Sequence, residues 1–191
     1  GPNAFYQCTS LTGVTISHGV TSIGHGAFSY CTSLTSVTIP GSVSSIGFGA
    51  FAICTSLVAI TVDAANASYS SLAGVLFNQS QNTLIQCPGG KAGSYPIPGS
   101  VTSIWEGAFY GCTSLTSATI SHGVTSIGGG MFSGCTNLTN ITIPSSVTNV
   151  GYYAFSYCTS MSGVFFTGNA PSFGSDVFIR ASTLIVHYFP A

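Results

Sequence analysis

One ten-residue phrase recurs along the chain: CTSLTGVTIS at 8–17, CTSLTSVTIP at 31–40, CTSLTSATIS at 112–121 and CTNLTNITIP at 135–144. Cysteine sets its frame. Cys8, Cys31 and Cys54 lie 23 residues apart, and so do Cys112, Cys135 and Cys158. A fixed period constrains the fold more than composition does, because each unit is one supersecondary element that must bury its apolar side against the next. The full unit reads A-F-x-x-C-T-S-L-T-x-V-T-I-P-x-x-V-T-S-I-G-x-G, with copies starting at Ala4, Ala27, Ala50, Ala108, Met131 and Ala154. Between Cys54 and Cys112 the period is broken by an insertion.

Within a unit the apolar spacing changes. Val37 and Ile39 flank Thr38 at the strand period, whereas Phe28, Cys31, Leu34 and Val37 are three apart. Each unit is therefore predicted to be a short strand, a return path and a compact turn. Stacked units form a solenoid of about seven to eight coils. Strands of successive coils lie parallel, about 4.8 Å apart.

The cysteine falls on the inward phase, so Cys8, Cys31, Cys54, Cys112, Cys135 and Cys158 are expected to form a structural row inside the solenoid. Small apolar thiols suit that place, and reduced thiols are the expected state. Neighbouring coils come near disulfide range, which leaves bridges open. Cys87 lies outside the frame. No C-x-x-C pair and no histidine at ligand spacing is present, so the sequence implies no metal and no cofactor.

Charge narrows the partners. Only 3% of the 191 residues are charged, and the net charge is −1. A typical soluble domain carries roughly 25% charged residues. Without basic runs, nucleic acid and anionic membranes are poor partners. No apolar run approaches the roughly 20 residues that span a bilayer. With three carboxylates and no histidine placed to activate a nucleophile, the sequence is expected not to encode an enzyme.

The pattern C-x-x-L-x-x-V-x-I-P-x-x-V-x-x-I-G-x-x-A-F resembles the BspA-like, or Treponema-type, leucine-rich repeats, over residues 3–191. GVLFNQSQNTLIQCPGG (74–90) followed by YPIPGSVTSI (95–104) resembles that family's hairpin-bearing variant repeat, an insertion near residues 63–95. TGNAPSFGSDVFIRASTLIVHYFP (167–190) resembles its terminal coil. The resemblance implies a right-handed leucine-rich solenoid in a secreted or surface-anchored protein, with no catalytic residues. Gly1-Pro2 reads as an expression-tag scar, and 3–191 as a single solenoid domain cut from a longer protein.

Function is expected on the outward columns. One is threonine: Thr15, Thr38, Thr61, Thr119 and Thr142. Its simplest reading is strand propensity; its sharper reading is a regular array matching ice or a polysaccharide. The variable columns are His25, Phe48, Glu106, Gly129 and Tyr152, with Trp105 beside Glu106, and Gln7, Tyr30, Ile53, Gly111, Gly134 and Tyr157. Tyr30, Phe48, Trp105, Tyr152 and Tyr157 are the candidate contact residues, since exposed aromatics are favoured at interfaces. The expected role is adhesion to a surface protein or glycan of a host or neighbouring cell. A passive stalk and an ordered-surface binder are the alternatives. Asn66, Asn78, Asn137 and Asn140 head glycosylation sequons.

Overall fold

A computed structural model describes residues 1–181 and 184–189. Ser182, Thr183 and Pro190 of the expected terminal coil, and Ala191, lie outside the described residues. One repeat makes one turn of a solenoid, and the described residues contain no helix. In the second coil the strand Ser36–Ile39 alternates exposed and buried, as Thr-flanked valine and isoleucine require. It pairs in parallel with Ala59–Val62, Val37 opposite Ile60 and Thr38 opposite Thr61. Farther along, Gly93–Pro96, Leu115–Thr119, Asn140–Ile143, Gly163–Phe166 and Ile185–Tyr188 form a five-stranded parallel sheet. A second, two-residue strand in most coils, such as Ser45–Ile46 against Ser22–Ile23, extends the stacking on another side. Serine and threonine hydroxyls reinforce it: Ser42, Ser121 and Ser146 each donate to a carbonyl of the preceding coil at 2.7 Å.

The insertion folds as expected and adds one strand. Val75–Asn78 and Thr83–Gln86 are antiparallel around Gln79-Ser80-Gln81, and Tyr69–Leu72 pairs antiparallel on the other edge of Val75–Asn78. Asn66 anchors this excursion. Its buried amide donates to Pro40 and Val43 carbonyls at 2.8 and 2.9 Å and accepts from the Ser68 and Tyr69 amides. Of the four sequons, this one is closed, because its nitrogen is already spent inside the protein.

The core is a set of ladders in which each repeat position meets its copy on the next coil. Phe5, Phe28 and Phe51 stack at 5.1 and 5.5 Å. Phe109, Phe132, Phe155 and Phe178 stack at 4.7, 5.4 and 5.4 Å. Such pairs contribute about 0.5–1.5 kcal/mol each beyond the area they bury. The insertion divides these ladders, and the buried residues fall into two clusters.

Trp105 packs against both clusters, so it departs from the outward placement predicted for it. The reason lies in its repeat position, which glycine fills in sister coils. A Cβ on Gly151 would meet the Gly129 nitrogen at 2.6 Å, and one on Gly174 the Tyr152 nitrogen at 2.6 Å. At Trp105 the preceding chain is the hairpin, whose Leu84 carbonyl accepts the Trp105 amide at 3.0 Å. The indole fits there and joins the two cores.

Candidate functional site

The site lies on the outer turn between the glycine that closes one repeat and the cysteine of the next. This turn enters the left-handed backbone region twice per coil. The first place holds Asn3, Gly26, Gly49, Gly107, Gly130, Tyr153 and Asp176, with φ between 53° and 65°. The second holds Gln7, Tyr30, Ile53, Gly111, Gly134, Tyr157 and Arg180, with φ between 57° and 72°. Glycine takes these angles freely; an L side chain costs about 1–2 kcal/mol. The two coils that carry Gly107 and Gly111, then Gly130 and Gly134, use glycine in both places. The next coil uses Tyr153 and Tyr157.

The result is an open cleft of about 320 Å³ with aromatic walls and a small-residue floor. Phe48 and Tyr110 wall one side, and Tyr152, Tyr153 and Tyr157 the other. Gly107, Gly129, Gly130, Ser133 and Ser156 lie between them. Both walls lean inward. The Phe48 ring reaches over Gly107, 3.4 Å from where a Cβ would stand. The Tyr152 ring lies over Gly129, with Cζ and Cε1 2.7 and 2.8 Å from a Cβ position there. Tyr152 is still 56% exposed, so its other face is open. Tyr153 stands perpendicular to it at 5.9 Å. On the floor the buried Ser156 hydroxyl and the Ser133 hydroxyl are hydrogen-bonded at 2.8 Å.

Three of the predicted aromatics, Phe48, Tyr152 and Tyr157, come together here. Tyr30 stands beside the cleft, half-buried and edge-on to Tyr6 at 5.6 Å. Burial, then the Tyr30 hydroxyl, raises the Tyr110 phenol above its ordinary value. Sequence reasoning missed Tyr110, Tyr153 and the floor glycines Gly107 and Gly130. The signal for Tyr153 was present: it replaces the last glycine of I-G-x-G in one coil. Glu106, between Phe48 and Gly129 in its column, leans onto Gly128 and does not line the cleft.

The threonines sit elsewhere, all but Thr15 on strands, and do not make one long row. Thr38 pairs with Thr61 and Thr119 with Thr142, in two separate sheets. Thr119 faces Pro96 on its other side, Thr142 faces Phe165, and Thr15 lies outside any strand. The Thr38 and Thr61 hydroxyls bond each other at 2.8 Å. The periodic lattice that an ordered surface would need is interrupted by the hairpin.

Cys31, Cys54, Cys112, Cys135 and Cys158 are buried free thiols, and Cys8, on the first coil, is exposed. Cys54, Cys135 and Cys158 donate to carbonyls of the preceding coil at 3.0–3.1 Å. Cys87, off the sequence frame, sits beside Cys112, whose thiol lies 3.6 Å from its carbonyl. Burial, then the Cys31 thiol, pushes Cys54 up to about 12. The Cys135 thiol and burial push Cys158 far above the ordinary thiol range. For Cys135 itself burial works upward while the thiols of Cys112 and Cys158 favour its thiolate. Among the described residues no group of three His, Cys, Asp or Glu could hold a metal ion. Nor is any helix long and apolar enough to cross a membrane.

Comparison with known proteins accords with this architecture. The family described as BspA type leucine rich repeat region (6 copies) matches residues 1–90 and 89–191. The chain is similar to the pneumococcal vaccine antigen PcpA, with TM-score 0.88 and 27% identity, covering 99% of this chain and 48% of that one. It is similar to a leucine-rich repeat protein from Eubacterium ventriosum, with TM-score 0.74 and 25% identity, covering 96% and 62%. It also resembles the Treponema pallidum leucine-rich repeat protein, with TM-score 0.53 and 28% identity, covering 84% and 69%. The chain thus spans less than two thirds of the first two. No curated protein sequence matches it.

Proposed function

Because the chain belongs to the BspA-type leucine-rich repeat family, we propose that it works as an extracellular, cell-surface binding module that adheres to its partner through the outer turns of the solenoid. The observation that carries this reading is the cleft between Phe48 and Tyr152, where exposed rings from several coils converge over glycine. Exposed tyrosine at a concave site is costly to leave in water and favourable to cover, which is the composition of interaction hot spots. Similarity to a protein described as a vaccine antigen supports an exposed location. Affinity per module is modest and multiplies when copies are displayed together on one surface.

The test is capture of immobilised extracellular-matrix glycoproteins and intact cells by the purified chain, with a Tyr152→Ala/Tyr157→Ala double variant alongside. Selective capture by the parent, lost in a folded variant, supports the reading. Absence of capture by the folded parent overturns it and leaves the solenoid as a stalk.

A further inference from the structure

The chemistry of the cleft narrows the ligand class; this inference rests on the binding function just proposed. No charged residue lines it. Neither Lys91 nor Arg180 is there to hold a phosphate, sulfate or carboxylate, and no carboxylate faces in to hold a cation. What it offers is flat ring faces, hydroxyls and exposed backbone. Its volume, about 320 Å³, is at the lower end of the range for small-ligand sites.

Tyr152 is built as a platform. One face of its ring rests on Gly129, where any side chain would displace it. The other face is open, with Tyr153 as a perpendicular wall. Opposite stands Phe48, braced by His25 stacked on it at 5.8 Å. An aromatic face carries negative quadrupolar charge, so it attracts the positive C–H edge of an apolar ring surface. The phenols of Tyr110, Tyr152, Tyr153 and Tyr157, with the Ser133 and Ser156 pair, both donate and accept hydrogen bonds. A pyranose ring has this complementary character: an apolar C–H face, a rim of hydroxyls and no charge.

Backbone cost is also carried at this cleft. Tyr153 and Tyr157 hold φ of 54° and 58°, where the two preceding coils use glycine. Core packing does not demand tyrosine there, since Tyr157 is 52% and Tyr153 43% exposed. Other coils also carry non-glycine residues at these places, as at Tyr30, Ile53, Asp176 and Arg180, so the angle alone does not mark a site; here the cost falls on two exposed aromatics that line the cleft.

We propose that this cleft binds a neutral sugar residue of a glycan, stacked on Tyr152 and bounded by Tyr153, Tyr157 and Phe48. Binding is insensitive to ionic strength, because no charge pair forms. The experiment is a glycan array probed with the labelled chain at low and high salt, followed by titration of the best neutral glycan into the parent, Tyr152→Ala and Gly129→Ala. Gly129 has an ordinary backbone angle, and the three atoms nearest its new methyl would all be at the far end of the Tyr152 ring, so the fold is expected to be retained while the platform is lifted. Both variants are expected to lose roughly tenfold or more in affinity, with urea midpoints unchanged. If either variant unfolds, Tyr153→Gly, which relieves a strained angle, takes its place. Retention of sialylated or sulfated glycans alone overturns the proposal. So does capture of a glycoprotein that survives enzymatic removal of its glycans, or that a proline-rich peptide competes away. Those results leave the adhesive function standing with a protein ligand. Failure to bind any glycan or glycoprotein overturns both.

Discussion

The same turn has two sides, and they obey different rules. Inward, Phe109, Phe132 and Phe155 repeat without variation, each fully buried and stacked on the next. Outward, the residues one coil apart change from Glu106 to Gly129 to Tyr152, and from Gly111 to Gly134 to Tyr157. The backbone barely responds: φ is 71° at Gly111, 72° at Gly134 and 58° at Tyr157. The inner ladder therefore fixes the coil, and the outer positions can be spent on a binding site at a cost of about 1–2 kcal/mol per left-handed side chain.

Breaking the ladder has the largest expected effect. Phe132→Ala leaves a cavity between two stacked rings and is expected to lower stability by about 3–5 kcal/mol in urea titration. Phe5→Ala, at a ring already 42% exposed, should cost far less. Phe5 belongs to an inner ladder too but ends it, so a value for Phe132→Ala close to that of Phe5→Ala would show that burial between two rings does not set the cost.

High pH attacks the inner side through its buried thiols and Tyr95. Cys54 is pushed up to about 12 by burial first and the Cys31 thiol second, from an ordinary value of 9.0. Burial, then Cys87, also raises the Tyr95 phenol, which is buried without a hydrogen-bond partner. A raised acid stabilises the fold below its unfolded value, and that stability is lost as pH climbs toward the folded value. Urea midpoints are therefore expected to hold up to the ordinary thiol value of 9.0 and to fall toward 12. In Cys54→Ala the fall is shallower.

A finer test exchanges residues on the outer side. Gly134 and Gly111 share one repeat position and nearly one φ. A Cβ on Gly134 meets nothing closer than 3.7 Å, whereas one on Gly111 meets Ile53 Cγ1 at 2.8 Å. Gly134→Tyr is expected to cost about 1–2 kcal/mol. Gly111→Tyr costs that and the collision with Ile53 besides. Equal costs by thermal or urea unfolding would show that neighbour contacts do not decide these positions.

Much of the scaffold was legible in the sequence because the repeat is its own alignment. Val37 and Ile39 announced the strand, Cys31 and Leu34 the inward phase, and the break after Cys54 the hairpin. Three features were missed. Cys87 sits beside Cys112 because the hairpin resets the register, which a 23-residue frame cannot see. Trp105 turns inward because the coil that would exclude it is missing. Tyr110 and Tyr153 join the cleft from repeat columns that were not read as outward-facing. For the site itself, exposure of Phe48, Tyr152 and Tyr157 followed from column variation, but their convergence depends on which neighbouring coils hold glycine.

The central claim is that the outer turns carry recognition without carrying the fold. Titration calorimetry of the Tyr153→Gly/Tyr157→Gly double variant against the ligand captured by the parent tests it most directly. Glycine restores the residue of the sister coils and relieves two left-handed angles, so the folded variant is expected to give no measurable binding heat. Parent-like heat and affinity in that variant would contradict the account and move recognition away from this cleft.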